Sequence, residues 1–467
     1  MGNSKNNVRK SFFITILIII ILLCLFFLPR INFFGNYLKR IDIIEDILDK
    51  DSLGNTIAEL RMDSLEGVSD ISDDKSESIE IMQTNYQDSI PDGMIAIEDF
   101  ADSTGVHREM DKFYRALDSS HDRQVRIAFF GDSYIEGDIL TSALRDTLQS
   151  QYGGRGVGWV EVSCISEHFR NTVNINNSGW ESHCARVKKD YSSNLASIAG
   201  SYFIPLTNAS LTLTCQNNKY GKRLSWVDEI SIFADMSPSL SLQVRLNDTI
   251  PSSHTSDGTS GMQRFTHSGN ISKVNITASG RGTVYGVSMD GKTGICLDNF
   301  SLRGGDGTYI SSLSQSMLSR MSELRSYDLI ILEYGLNTAS SKRTNYGDYT
   351  NRLASSIDLL KSTFPKSSIL ILGCSDRGQN GKSGKTMRGV VELIKYQRKL
   401  ASDEHIAFWD IRESLGGEGA ISDLCSKNMA AKDLTHINFK GGEYLAQHLY
   451  DVLMNGKMNY DRRRINR

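Results

Sequence analysis

The sequence predicts an α/β protein: a parallel sheet covered by helices on both faces, interrupted by an inserted all-β sandwich and preceded by an N-terminal transmembrane helix. Three observations predict it. Short apolar runs alternate with amphipathic stretches from residue 125 to residue 453, as buried parallel strands and their crossover helices do. Between about 160 and 295 the runs instead alternate apolar and polar with period two, the mark of antiparallel strands. Near the N-terminus, Phe12 to Leu28 is apolar except for Thr15, a helix of about 26 Å.

The N-terminal elements come first. Lys5, Arg9 and Lys10 precede the apolar run, and no small-x-small cleavage pattern follows it. Residues 1–10 are expected in the cytoplasm, 11–28 as an uncleaved signal anchor, and the remainder exported. A cleaved signal peptide is the rival reading, and Arg30, Lys39 and Arg40 place positive charge on the far side as well. Residues 29–93 read as an acidic stalk: Asp63 to Glu80 holds seven acids and a single base, Lys75. Glu98 to Leu117 has helical periodicity through Phe100, Met110, Phe113 and Leu117.

The α/β elements follow. Val125 to Phe130, Asp328 to Glu333, Ser368 to Gly373 and Ile406 to Trp409 read as buried strands. Ile139 to Leu148, Ser311 to Leu324, Tyr349 to Leu360, Val390 to Leu400 and Gly442 to Leu453 read as helices. Within the insert, Leu211 to Thr214, Glu229 to Phe233, Leu240 to Val244 and Val274 to Thr277 read as strands. The expected domains are 94–158 and 296–456 for the two parts of the α/β unit, 159–295 for the insert, and 457–467 for a basic tail.

Composition excludes some classes. The 467 residues carry a net charge of -3 and no basic stripe, so nucleic acid is not an expected partner. The seven cysteines form no C-x-x-C pair, so neither a zinc ribbon nor a thioredoxin-type site is expected. Cys164 with Cys184 as a disulfide, or isolated thiols throughout, both remain open.

The chemistry concentrates at strand ends. Gly131-Asp132-Ser133 follows the first apolar strand, where an open α/β sheet presents its reactive groups. Ser133 there is a candidate nucleophile, which needs a base and a group to orient that base. Asp433-Leu434-Thr435-His436 offers both at a spacing that puts the two side chains on one side of a turn, although a plain surface turn has the same pattern. Asn337 in Tyr334-Gly335-Leu336-Asn337 follows the second strand and is a suitable oxyanion donor, with a helix cap as the alternative. Asn299 to Gly307 supplies a glycine-rich loop whose backbone N–H groups can serve as further donors.

The order G-D-S, glycine loop, G-x-N, D-x-x-H resembles the SGNH hydrolase (GDSL esterase) superfamily over 125–156 and 293–453. The resemblance implies a flavodoxin-like three-layer domain. It implies a catalytic triad of Ser133, Asp433 and His436, and an oxyanion hole from Gly304 and Asn337 with the Ser133 backbone N–H. Gly305 is the register alternative to Gly304. The pattern departs from the family at Thr338, where G-x-N-D is usual. Tyr152 to Trp159, the β-rich insert, and Phe408-Trp409-Asp410 with Leu415-Gly416-Gly417 are similar to bacterial envelope proteins related to peptidoglycan O-acetylesterases, whose insert resembles a carbohydrate-binding module. The implied activity is removal of acyl, chiefly acetyl, groups from an envelope carbohydrate at the periplasmic or extracellular face, with no metal or organic cofactor. Transfer to a glycan hydroxyl by the same triad, and glycan binding without catalysis, remain open. Trp180, Trp226 and Tyr285 are candidates to stack on sugar rings or to pack in a core.

Overall fold

The computed structural model describes residues 79–84, 88–187, 189–379 and 382–465, and the strand pair Asn32–Phe33 with Asn36–Tyr37. The expected signal anchor, 11–28, and most of the expected stalk lie outside the described residues. Among the described residues no helix is long and apolar enough to cross a membrane. Residues 77–467 form one compact unit.

In chain order its elements begin with β1 (Glu98–Asp99), α1 (Asp111–Leu117), β2 (Gln124–Gly131) and α2 (Thr141–Tyr152). The insert contributes β3 (Gly158–Val160), β4 (Val173–Cys184), β5 (Ser201–Cys215), β6 (Val227–Asp235), β7 (Ser241–Leu246), β8 (Ser252–Thr255), β9 (Gln263–Ile271), β10 (Lys273–Ser279) and β11 (Thr283–Asp290). The chain then runs through β12 (Gly294–Ser301), α3 (Gln315–Leu324), β13 (Leu329–Glu333), α4 (Gly347–Thr363) and β14 (Ser368–Leu372). It ends with β15 (Gly378–Gln379), β16 (Lys382–Thr386), α5 (Arg388–Asp403), β17 (Ala407–Trp409), α6 (Ile411–Ser414), α7 (Ala420–Ser426) and α8 (Phe439–Ile465).

Six strands form the α/β sheet in the order β12-β2-β13-β14-β17-β1, all parallel except the short antiparallel edge β1. Every residue of β13 and β14 is buried, which is why their sequences are continuous apolar runs rather than alternating ones. Helices α1, α2 and α8 pack together, as do α3, α4 and α5. The central strand β2 lies between β12 and β13, with Gly131 in register with both Ser301 and Glu333. That register carries three loops to one end of the sheet: those after Gly131, Ser301 and Glu333.

The crossover between the neighbours β2 and β12 consists of α2 and the insert. The nine insert strands pair antiparallel along β8-β7-β10-β5-β11-β6-β9, with β3 on β11 and β4 on β5. They enclose an apolar core of their own that includes Leu211, Leu213, Ile230, Ile232, Leu242, Val244 and Ile276. Trp159 joins this part to the sheet: its ring lies 5.0 Å from Phe233 and 6.0 Å from Phe300.

Several expectations change. Glu98 to Leu117 is helical only over α1; its first residues pair as β1, and the Asp99 carboxylate accepts from the Glu109 and Met110 N–H groups at 2.9 and 3.0 Å. The end of the expected stalk belongs to the fold. Ile81, Met82 and Met94 pack on the core, and the Met82 N–H donates to Ser402 Oγ at 2.8 Å. Helix α8 continues to Ile465, through the expected basic tail, because Arg463 pairs with Asp88 and Asp111. Strand β12 was not expected, because Asp298 and Asn299 interrupt its apolar run, and it takes the first residues of the expected glycine-rich loop, Asn299 to Ser301. Both polar residues find partners inside: Asp298 accepts from Arg325, Tyr327 and the Trp159 N–H, and the Asn299 amide nitrogen donates to the Ile135 carbonyl, Asp138 and Thr141, while its Oδ1 has no partner among the described residues. Cys164, Cys184, Cys215, Cys296, Cys374 and Cys425 are free thiols.

Candidate active site

The nucleophile block leaves β2 at Gly131. Ser133 is half-buried, and its Oγ stands 3.1 Å from Nε2 of His436. On the other side of the ring, Nδ1–H donates to Asp433 Oδ2 at 2.6 Å. This bond puts the imidazole proton on Nδ1 and leaves the Nε2 lone pair facing the Ser133 hydroxyl. Burial would raise the Asp433 carboxyl, but hydrogen bonding and charge from His436 and the local N–H groups outweigh it and hold the carboxyl below its usual range.

The D-x-x-H turn has a specific construction. Asp433 Oδ1 accepts from the Thr435 and His436 N–H groups at 3.0 and 3.1 Å. Leu434 between them has φ +54°, a left-handed conformation that costs a leucine about 1–2 kcal/mol. It is held there by the Gly378 N–H donating to the Leu434 carbonyl and by the Ala430–Ile437 bridge. Such strain at a reactive turn is typical of functional sites.

The oxyanion side is more intricate than the sequence suggests. Asn337 is exposed, yet its Nδ2 donates to Asp132 Oδ2 at 2.8 Å and to the Gly305 carbonyl at 3.0 Å. It therefore reaches the nucleophile block through Asp132. Gly304 has φ +74°, and its N–H makes no hydrogen bond among the described residues, whereas the Gly305 N–H is already given to the Leu302 carbonyl at 2.8 Å. Gly304, not Gly305, thus has a donor available. The Ser133 N–H is likewise unengaged among the described residues. Thr338, where the family pattern has Asp, gives its N–H to the Gly335 carbonyl.

Four supporting residues escaped the sequence reading. Asp138, wholly buried two turns of chain beyond the nucleophile, binds Arg145 at 3.1 Å, Arg170 at 3.0 Å, Thr141, Thr172 and Asn299. Burial pushes its carboxyl up, but the two guanidiniums win and hold it well below the usual carboxylate range. Because Arg170 and Thr172 belong to the insert, this acid ties the insert to the loop that carries Ser133. Glu136 pairs with Arg303 at 2.6 Å beside the site. Burial raises its carboxyl on balance, against the pull of Arg303, Arg186 and His436. Asp132 is fully buried, and desolvation pushes it up to about 6 despite the Tyr134 N–H, His436 and Asn337. Glu333, at the last position of β13, is also fully buried. A lone acid closing an otherwise apolar strand was the signal for it.

Of the aromatics proposed for sugar stacking, Tyr285 lies in the core at 1% exposure and is excluded. Trp226 is covered by the Arg155 guanidinium 3.4 Å from its ring centroid. Trp180 is half-buried and donates to the Ser210 carbonyl.

No family model and no curated protein matches the sequence. Among solved structures, the chain is similar to a peptidoglycan O-acetylesterase, with 21% identity, a TM-score of 0.65, and coverage of 78% of this chain and 99% of that one. A family two carbohydrate esterase from Cellvibrio japonicus (9% identity, TM-score 0.27, 62% and 99% coverage) superposes too loosely to carry an argument. The same holds for a carbohydrate esterase family 2 enzyme with a carbohydrate binding domain from Corynascus thermopiles (11%, 0.25, 60% and 98%). The first likeness establishes the fold, in agreement with the SGNH resemblance of the four sequence blocks.

Proposed function

We propose that the protein is an SGNH-type serine esterase that removes acetyl groups from an envelope carbohydrate such as O-acetylated peptidoglycan. The observation that carries this reading is the chain Ser133 Oγ, His436, Asp433, at 3.1 and 2.6 Å. In the mechanism, His436 Nε2 takes the Ser133 proton as Oγ attacks the acyl carbonyl. The Gly304 and Ser133 N–H groups and the Asn337 amide stabilise the tetrahedral oxyanion. For Asn337 this requires the exposed Gly305 carbonyl, rather than the buried Asp132 carboxylate, to yield its share of Nδ2. His436 then protonates the departing sugar oxygen, and a water activated by the same imidazole hydrolyses the acyl-enzyme. The peptidoglycan O-acetylesterase that shares the fold supports the choice of substrate. Anchoring through residues 11–28 with the α/β unit exported is part of the proposal and rests on the apolar run and its preceding Lys5, Arg9 and Lys10.

Acetate release from O-acetylated peptidoglycan and a panel of other acetylated polymers tests the proposal, with Ser133→Ala as control. Release by the unsubstituted protein alone is expected. Equal release by Ser133→Ala refutes the nucleophile, and acetate appearing on an added glycan instead of in solution identifies a transferase.

A further inference from the structure

Glu333 has a place in the site that the proposed mechanism does not use. Both its oxygens are buried, and neither has a hydrogen-bond partner of good geometry. It stands beside the nucleophile block: a Cβ on Gly131 would come within 2.9 Å of Glu333 Oε2, so glycine there makes room for this carboxyl. The acid whose charge Glu333 meets is Asp132, whose Oδ1 accepts from the Tyr134 N–H at 3.0 Å and whose Oδ2 accepts from Asn337. Two acids are therefore buried together: Asp132 has the Tyr134 N–H and the Asn337 amide, whereas Glu333 has only the backbone N–H of Asp132 turned toward it.

We propose that Glu333 is a positioning residue of the oxyanion hole, sharing one proton with Asp132 and so fixing the carboxylate that grips the Asn337 amide. The inference rests on the esterase reading for its consequence, but its chemistry comes from the pair itself. A carboxylate with so few donors is among the least stable groups in a protein interior, whereas a carboxylic acid beside a carboxylate becomes a donor. Among the described residues no cation faces Glu333. The titratable groups turned toward it are Asp132, Tyr134, Tyr334, Tyr349 and Cys374. Burial and then the Asp132 charge push the Glu333 carboxyl well above its ordinary range, so the proton resides on Glu333 and the ionised acid is Asp132. An ionised Glu333 would force the proton onto Asp132 and weaken its hold on Asn337.

The test compares Glu333→Gln, which keeps a neutral hydrogen-bond donor, with Glu333→Leu, which keeps only bulk. Glu333→Leu is expected to lower kcat about 10- to 100-fold at unchanged KM, less than removing a donor outright, because Asn337 stays present but misplaced. Glu333→Gln is expected to rescue kcat to within about fivefold. An infrared difference spectrum at neutral pH should show a protonated-acid carbonyl band in the unsubstituted protein that Glu333→Gln lacks. Glu333→Leu turning over like the unsubstituted protein, Glu333→Gln as impaired as Glu333→Leu, or absence of that band each overturns the inference. Lack of turnover by the unsubstituted protein refutes the esterase reading instead, and the infrared band then decides the shared proton alone.

Discussion

Replacing Asn337 with Ala tests the oxyanion side of the site directly. The substitution removes the donor at 2.8 Å from Asp132 and 3.0 Å from the Gly305 carbonyl. A preorganised donor of this kind contributes about 10²–10³ to kcat. The loss should fall on kcat and leave KM nearly unchanged, since the charge it stabilises exists only in the transition state. Stability has a separate limit. Asp132 keeps the Tyr134 N–H but loses its side-chain donor, and an unsatisfied buried acceptor costs about 1–3 kcal/mol. Asp132 has an escape: burial pushes its carboxyl up to about 6, so taking up a proton near neutrality costs only on the order of 1 kcal/mol. The folding loss at neutrality should therefore stay at the low end of that range and shrink as pH falls. Steady-state hydrolysis of p-nitrophenyl acetate and urea denaturation at two pH values provide the measurements. A kcat within about threefold of the parent, or a loss carried wholly by KM, refutes the assignment of Asn337.

Three further outcomes follow from the buried charges. Arg325 is fully buried between Asp290, at 2.7 Å, and Asp298, at 2.6 Å, so Arg325→Leu leaves two carboxylates unpaired and should cost about 3–5 kcal/mol by denaturant unfolding; a change below about 1 kcal/mol contradicts this. Asp138→Asn should lose about 3 kcal/mol near neutrality. The Asp138 carboxyl is held below its unfolded value, so its stabilisation is present above that value and is lost as pH falls through the depressed one. The Asp138→Asn protein should accordingly show a flatter acid limb, and parallel acid limbs in the two proteins would count against the hub. Glu333 acts with the opposite sign: its raised carboxyl makes the fold most stable below the ordinary glutamate range and less stable as pH rises toward the raised value. Glu333→Gln should remove a slope of about 1.4 kcal/mol per pH unit from the stability curve, and an unchanged slope would show the group to be ionised throughout.

The legible part of the site was the part written in local sequence. Ser133 follows an apolar strand, and Asp433 and His436 are three residues apart, which made them candidates; the order of the four blocks, in its resemblance to the SGNH superfamily, singled them out. Asn337 was legible for the same reason, because it follows Glu333 at a strand end. The choice between Gly304 and Gly305 was not, since it depends on which N–H the Leu302 carbonyl takes. Strand β12 was missed and helix α8 was read only in part because their polar residues meet distant partners. Asp298 meets Arg325, and Arg463 meets Asp88, 375 residues away.

By itself the sequence determined the fold class, the interruption by an antiparallel insert, and the order of the four blocks. Burial on one face or two imposes period two or a continuous apolar run on any strand, and a run of residues displays that period locally. Only the tertiary structure decided how the buried acids divide their roles. Asp433, Asp138, Asp132 and Glu333 are all carboxyls in the chain; it is the His436 ring, two guanidiniums, an amide, and, among the described residues, the want of a facing cation that set them apart. Those neighbours come from separate loops and from the insert. Their effect depends on distance and exclusion of water, neither of which exists until the chain has folded.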